Sequence, residues 1–448
     1  MSLHETAAAA LETGPLCDSC LGRPFAALSH GLTNAERGRA LRIVIEMEAD
    51  RPHDPVEPTA CWVCEGYSAT ADLLAEAVVA VLDPNDFETY QVGSRVPPLQ
   101  EENDQLLRDE IGLDGDAGES LKRELNREVG RRVGAATGAE VDFERPDVLA
   151  VLDLTAFDPV EALSAGAVTE HAVDVQVNAA FVYGRYRKLE PDIPQTEWPC
   201  RECGGSGTQL GPNGEEACEH CGGLGKLYET SVEGLVAPPI RDAMDGTDAT
   251  FHGAGREDVD ARMLGTGRPF VVEVERPRHR RPDVAALERT INAAADGRVE
   301  VVGLRLATYE MVERVKELPA SKRYRATVAF EAPVDPDALE EAIEALVGTT
   351  VEQYTPTRVD HRRASRTRTR TVYGAEATLE DATTATVEIH GEGGLYVKEL
   401  IGGDDGRTEP SLAGLLGVDA VVTALDVLAV EGEDEPFEDE ALFRDSPT

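Results

Sequence analysis

The sequence predicts an α+β protein of more than one domain, and three observations carry that prediction. Stretches with apolar residues at helical spacing alternate with shorter ones in which every second residue is apolar, as expected for helices laid against half-buried sheets. The length of 448 residues exceeds what one core serves, so two or three domains are expected. All eight cysteines fall into Cys-x-x-Cys pairs that separate segments of different character.

Cys17/Cys20 and Cys61/Cys64 bracket a helix from Thr33-Asn34 through about Glu48, with Leu41, Val44, Ile45 and Met47 as its apolar stripe. Helix Ala71–Leu82 leads to a strand at Phe87–Val92, helix Ser120–Ala136 to a strand at Val148–Leu154, and a last strand spans His171–Val182. The arginines of the Ser120–Ala136 helix could face RNA, or lace a solvated face through i,i+4 pairs. A proline-interrupted linker, Pro191–Pro199, precedes Cys200/Cys203 and Cys218/Cys221. Beyond Glu229, helices are expected over Ser231–Ala243, Pro282–Asp296, Asp335–Val347 and Ser411–Leu416. Strands are expected over Phe270–Val274, Val299–Thr308, Tyr324–Phe330 and Ala375–His390, with a basic strand pair over Thr355–Tyr373. Gly393–Ile401 reads as a strand with Tyr396 and Lys398 on one face. The divisions are a knuckle unit over 1–66, an α+β domain over 67–190 and a linker with the second knuckle pair over 191–228. A larger α/β domain over 229–436 and an acidic tail over 437–448 complete the chain, with Glu431–Thr448 reading as frayed.

Composition bounds the setting. The formal charge is −42, and only six of the 43 cationic residues are lysines. Acid excess spread along the chain, with so little lysine, reads as adaptation to a halophilic interior, where self-repulsion is screened within about 3 Å at 1 M salt. Clustered cations therefore become informative. No run approaches the ~20 apolar residues of a membrane span. Met1–Gly14 lacks the basic start and apolar run of a signal peptide, so a cytoplasmic protein is expected. Cysteine usage of this kind in such a compartment points to zinc rather than disulfides, with Cys17, Cys20, Cys61 and Cys64 as one four-thiolate site. Unrelated knuckles or a redox pair are the alternatives. Cys200, Cys203, Cys218 and Cys221 read as a compact ribbon; each half fits Cys-x-x-Cys-x-Gly-x-Gly and resembles the chaperone cysteine-rich repeat over only this short stretch.

Four segments carry candidate chemistry. Phe251–Phe270 crowds glycines, arginines and two aspartates, Asp258 and Asp260, ahead of an apolar strand; a charged surface hairpin is its plain alternative. Lys322-Arg-Tyr-Arg-Ala326 flanks an aromatic with cations, which suits a base-stacking platform or an ordinary strand tyrosine. Arg358, Arg362, Arg363, Arg366, Arg368 and Arg370 stand close together with Asp360 as the one acid among them, a pattern for phosphate or ribose contact. Lys398, followed by apolar residues, could be a carboxylate's partner or an exposed lysine.

Gly255-Arg-Glu-Asp-Val-Asp-Ala-Arg-Met-Leu-Gly-Thr-Gly-Arg-Pro-Phe270 resembles the catalytic loop of the Pus-ten family of tRNA pseudouridine synthases. Gly184-Arg-Tyr, Gln353-x-Thr-Pro-x-Arg-Val-x-His-Arg-Arg363, Gly394-Leu-Tyr-Val-Lys-Glu399 and Gly406-Arg-Thr-x-Pro410 extend the resemblance from Cys17 to about Val430. Ala261 stands where many members carry Val. The resemblance implies a zinc-bearing, THUMP-containing RNA-binding front part and a pseudouridine-synthase catalytic domain with a central antiparallel sheet. It implies Asp258 as nucleophile, Tyr324 as the tyrosine on the target base, Tyr396 as a second base contact and Lys398 as the basic partner of the catalytic carboxylate. Arg256 would help hold the flipped nucleotide. The implied reaction is isomerisation of uridine in the TΨC loop of tRNA, at uridine 55 and also 54. It needs no cofactor; two structural zinc ions, tRNA as partner, no membrane and a monomeric state complete the expectation. The alternatives are a non-catalytic THUMP and zinc-ribbon RNA-binding protein, or a chaperone-like module.

Overall fold

In the computed structural model, which describes residues 2–168, 172–211, 214–358 and 365–444, contacts divide the chain into two units. One is Met1–Ala179 with Arg276–Arg280, the other Ala180–Glu275 with Arg281–Thr448. No helix of the described residues is long and apolar enough to cross a membrane.

The first unit holds α1 (Leu3–Glu12), α2 (Asp18–Gly22), α3 (Asn34–Glu48), α4 (Ala71–Leu82), β1 (Thr89–Arg95) and α5 (Pro98–Glu110). It continues with α6 (Leu121–Thr137), β2 (Glu140–Val141), β3 (Val148–Asp153), α7 (Pro159–Ala165) and β4 (Val173–Val177). Its sheet has the order β2-β1-β3-β4. β3 buries Val148, Ala150 and Leu152, one residue in two, under the apolar faces of α4 and α6. α3 starts as its sequence suggests: Thr33 caps the Glu36 N–H while Glu36 caps Thr33. It crosses α2 so closely that a Cβ on Gly38 would lie 1.8 Å from the Asp18 carbonyl oxygen. Buried Arg23 ties the unit together, donating to Asp104 at 3.0 Å, Glu124 at 2.8 Å and the Cys20 sulfur at 3.2 Å. On α6, Arg131 and Arg132 both pair with Glu128, at 2.9 and 2.6 Å, the local ion pairing that a solvated face would carry.

The second unit opens with β5 (Ala180–Lys188), the hairpin β6 (Thr208–Gly211) and β7 (Gly214–Ala217), α8 (Val232–Ala243), β8 (Asp248–Gly253) and β9 (Arg262–Glu275). Next come α9 (Val284–Ala295), β10 (Val299–Ala307), α10 (Glu310–Glu317), β11 (Ala320–Phe330), α11 (Pro336–Leu346) and β12 (Thr350–Tyr354). β13 (Thr367–Asp381), β14 (Thr384–Gly391), α12 (Val397–Gly402), β15 (Thr408–Glu409), α13 (Leu412–Leu416) and β16 (Ala420–Gly432) complete it. The large sheet runs β10-β5-β9-β16-β11-β14-β13-β12-β15, with β8 also on β9. Its pairings are antiparallel except β9 with β16, where Arg262 faces Asp426 and Met263 faces Val427. α11 is capped by Asp335, as its position in the sequence suggests.

Four expectations are corrected. The strand read over His171–Val182 is two strands in different sheets, β4 and β5; an uninterrupted apolar alternation conceals the break at Asn178-Ala179. Ala375–His390 is a hairpin rather than one strand, turning where Asp381 accepts from the Thr383 N–H at 2.8 Å. Gly393–Ile401 is not a strand: Gly394 takes φ +88° and α12 begins at Val397. The tail is not frayed through its described residues. Phe437 is buried, Glu438 pairs with Arg185 at 2.7 Å and accepts from Tyr183, and Phe443 bridges to Ala307.

Candidate active site

The hairpin between β8 and β9 carries residues 254–261, and its footing is buried. Phe251 and Phe270 stack at 5.1 Å across the two strands, with Tyr186 of β5 against both rings. Under the turn lies Glu257, its side chain 1% exposed, with Arg268 Nε at 2.9 Å and Lys188 Nζ at 3.7 Å. The Tyr186 hydroxyl donates to Glu257 at 2.8 Å and accepts from Gln195 Nε2 at 2.9 Å. Burial alone would raise the Glu257 carboxyl, but the Arg268 and Lys188 charges outweigh it and hold it below the usual carboxylate range. The same groups grip the backbone of the turn. Lys188 Nζ donates to the carbonyls of Asp258 and Val259 at 3.3 and 3.0 Å, Arg268 to that of Ala254 at 2.7 Å and Gln195 to that of Gly255 at 2.9 Å.

Held this way, Asp258 reaches a cleft of about 310 Å³ lined also by Arg256, Tyr324, Arg358, Tyr396 and Lys398. The structure thus brings together six of the eight catalytic and substrate-binding residues expected from the sequence. The other two, Arg362 and Arg363, lie outside the described residues. Five cations line the cleft (Arg256, Arg268, Lys322, Arg358 and Lys398) against two carboxylates, Glu257 and Asp258. In a chain of charge −42 that local surplus marks a place for an anion.

The expected ion pair between Lys398 and Asp258 is present, but it is not the shortest that Asp258 makes. The shortest ion pair of Asp258 is with Arg358, whose Nη1 donates to Oδ2 at 2.8 Å; Lys398 lies 3.6 Å from the same oxygen and 2.8 Å from Asp260. Arg358 is itself held by Glu399, at 2.6 Å through Nε. Burial tends to raise the Asp260 carboxyl, and the hydrogen bond and charge of Lys398 prevail and lower it. Tyr324, on β11, has its phenol pushed up to about 12, by burial first and then by Asp258. Tyr396 caps α12 and is positioned through its backbone, since Gln353 donates to its carbonyl at 2.9 Å and accepts its N–H at 2.8 Å. Arg368 lies 5.8 Å from the Tyr396 ring centre, and Arg256 5.9 Å from that of Trp198.

Sequence reasoning missed Glu257, Lys188, Arg268, Gln195, Gln353 and Glu399. Lys188 carried a signal, as one of only six lysines; Gln353 opens a quoted motif, but nothing in the one-dimensional pattern says that its amide is buried and clamps a backbone.

Both cysteine sets suit a tetrahedral ion. The four sulfurs of Cys17, Cys20, Cys61 and Cys64, and those of Cys200, Cys203, Cys218 and Cys221, lie within 4.8 Å of one another. Cys17–Cys64, Cys200–Cys218 and Cys203–Cys221 separations of 3.7, 3.9 and 3.8 Å match the ~3.8 Å edge of a tetrahedron with Zn–S bonds of about 2.3 Å. The second set explains its own motif. Gly207 and Gly225 donate N–H to Cys203 and Cys221 at 3.3 and 3.2 Å, and their carbonyls accept from Cys218 and Cys200 at 2.8 Å. Both take φ near +75°, and a Cβ on either would sit 2.4 Å from the opposite knuckle's backbone, so each half needs its last glycine.

The chain matches the family described as Pus10, C-terminal, over residues 181–431, and the archaeal Pus10 THUMP domain over residues 74–153. A protein named tRNA pseudouridine synthase Pus10 from Halorubrum lacusprofundi is 63% identical, covering 99% of this chain and all of that protein. One of the same name from Methanothrix thermoacetophila is 42% identical over 96% of this chain and 95% of that protein. A solved Cbf5-Nop10-Gar1 complex is similar over 56% of this chain and 60% of that chain, at 18% identity and a TM-score of 0.29, and nothing rests on that likeness. With whole-length identity this high and more than half the residues matched, the chain belongs to the Pus10 family of pseudouridine synthases.

Proposed function

We propose that this chain isomerises uridine to pseudouridine in the TΨC loop of tRNA, at uridine 55 and also 54, with Asp258 as nucleophile. The observation that carries the reading is a carboxylate anchored through one oxygen by Arg358, beside Tyr324, in a cation-rich cleft. The reaction breaks N1–C1′, turns the uracil and forms C5–C1′; a proton leaves C5 and one is gained at N1, with no redox change. A carboxylate can bond to the substrate and leave again, and with Oδ2 of Asp258 held, Oδ1 is the atom to attack. The target base must leave its stack first. Tyr324, neutral at working pH because its phenol sits near 12, then supplies an apolar face and a hydroxyl. Arg256 and the neighbouring Arg362 and Arg363 take the anionic backbone, while Arg358 holds Asp258.

The THUMP part supplies RNA binding, and Zn²⁺ at the two four-cysteine sets supplies folding energy rather than chemistry, since four thiolates leave no open position. The enzyme works in the cytoplasm as a monomer. The test is pseudouridine mapping in unmodified tRNA treated at high salt with wild type and Asp258→Asn. Wild type forms pseudouridine at 55, and the variant is at least about a thousandfold slower, the order of loss seen when a nucleophile is removed. Retained activity in the variant overturns the assignment.

A further inference from the structure

A second cavity, of about 390 Å³, shares the walls Lys398 and Leu425 with the catalytic cleft, and the reaction as described does not use it. Leu189 and Pro191 add apolar surface to it, and Arg262 and Asp426 its polar side. The register of the parallel pairing sets Arg262 directly opposite Asp426. Their side chains meet as two parallel bonds, Nε to Oδ1 at 2.7 Å and Nη2 to Oδ2 at 2.8 Å. That fork uses the edge of the guanidinium and fixes its plane. The Arg262 side chain is nonetheless 44% exposed, so surface remains that the pairing does not use.

The charges say what fits. Each cation here is matched by a carboxylate, Arg262 by Asp426 and Lys398 by Asp260, so the surplus that marks the catalytic cleft is missing. A phosphate would meet two carboxylates without a free cation to answer it. A nucleobase suits the cavity: its face stacks on a fixed guanidinium plane and on aliphatic walls, and its amino or imino N–H can donate to a carboxylate.

We propose that this cavity is a subsite for the unstacked base of the nucleotide adjoining the uridine being isomerised. The inference rests on the reading of the cleft as the uridine site, because the two cavities share a wall. Arg262 follows Asp258 by four residues, where the turn enters β9, so occupancy by the neighbouring base fixes the register of the RNA across Asp258.

The experiment uses the full chain and tRNA in which the base on one side of the target uridine, or on the other, is replaced by an abasic residue. Equilibrium affinity and kcat/KM are both measured. Loss of one stacked base costs wild type about tenfold at one of the two neighbours. Arg262→Lys keeps the charge beside Asp426 and removes the plane; it shows that loss on intact RNA, and the abasic RNA costs it nothing more. Ala424→Trp fills the cavity from an exposed strand position and shows the same pattern. The proposal is overturned if neither abasic RNA affects wild type, or if the penalty is equal in wild type and both variants. Expected affinity ratios without pseudouridine formation on intact RNA count against the catalytic reading and leave the subsite standing.

Discussion

Arg358 and Gln353 act on the two ends of the chemistry by different routes. Arg358 lies between Asp258 and Glu399, so the orientation of the proposed nucleophile depends on a cation that a second carboxylate holds. Arg358→Met removes that hold and leaves Lys398 as the nearest charge at 3.6 Å. We expect kcat to fall about 100-fold, as for a catalytic group displaced by an ångström, with a smaller change in tRNA affinity. Gln353→Leu frees the Tyr396 backbone instead, and it should raise KM more than it lowers kcat. Single-turnover kinetics beside equilibrium binding separates the two. At this scale the sequence offered a resemblance: its Gly255-Arg256-x-Asp258 pattern puts Asp258 forward over Asp260 as the proposed nucleophile. It was silent about Arg358 as the closest partner, because that pair joins residues 100 positions apart and exists only once the segment after β12 meets the hairpin turn. It was silent about Glu257 for a related reason: a charge in a polar turn reads as solvated, and only the packing of Tyr186, Arg268 and Lys188 around it makes it buried.

The β8–β9 turn is an element whose conformation is set from below by charge. Glu257 is held below the ordinary carboxylate range, so its folded value lies beneath its unfolded one. The stability it contributes is complete above the unfolded value near 4 and is lost as pH falls through the folded value. The urea midpoint of wild type should therefore drop faster below about pH 4 than that of Glu257→Gln, a variant already weakened at pH 7. Equal pH profiles for the two would remove Glu257 as the cause. The knuckle hairpin is an element of another kind, built on two glycines and four cysteines that suit the proposed Zn²⁺. Metal analysis should find two zinc ions per chain, and Cys200→Ser should find one. Gly207→Ala should also release metal more readily to a chelator, because its methyl group meets the carbonyl of Gly223. Long periodic elements such as α4, α6 and β11 were legible because burial follows their period. The stretch at Gly393 was not, since its alternation mimics a strand and the Gln353 clamp that accompanies the helix start lies 43 residues away.

For the whole molecule the governing number is the charge of −42. At the salt such a surface tolerates, the Debye length is about 3 Å and counterion release contributes little to RNA affinity. Contacts that do not depend on salt should then dominate. In about 2 M KCl, Tyr324→Leu with Tyr396→Leu should weaken tRNA affinity more than replacement of Arg366, Arg368 and Arg370 together, with the order reversing as salt is lowered. Fluorescence anisotropy over a salt series measures both. A collapse on losing the arginines alone in strong salt would contradict this. Length pointed to two or three domains with a division near residue 190, whereas the chain passes from one unit to the other at Ala179, a place hidden because β4 and β5 read as a single apolar run.

That passage is not made once. The first unit ends at Ala179 and then takes back Arg276–Arg280, a five-residue return after β9. Within it, Arg280 donates to the carbonyls of Asn178 and Ala179 at 2.7 and 2.9 Å and lies 3.2 Å from the buried carboxylate of Asp147. The front unit is therefore not complete when its own continuous segment leaves the ribosome. It waits about a hundred residues more of synthesis, through the whole hairpin that carries Asp258, for the clasp that closes it.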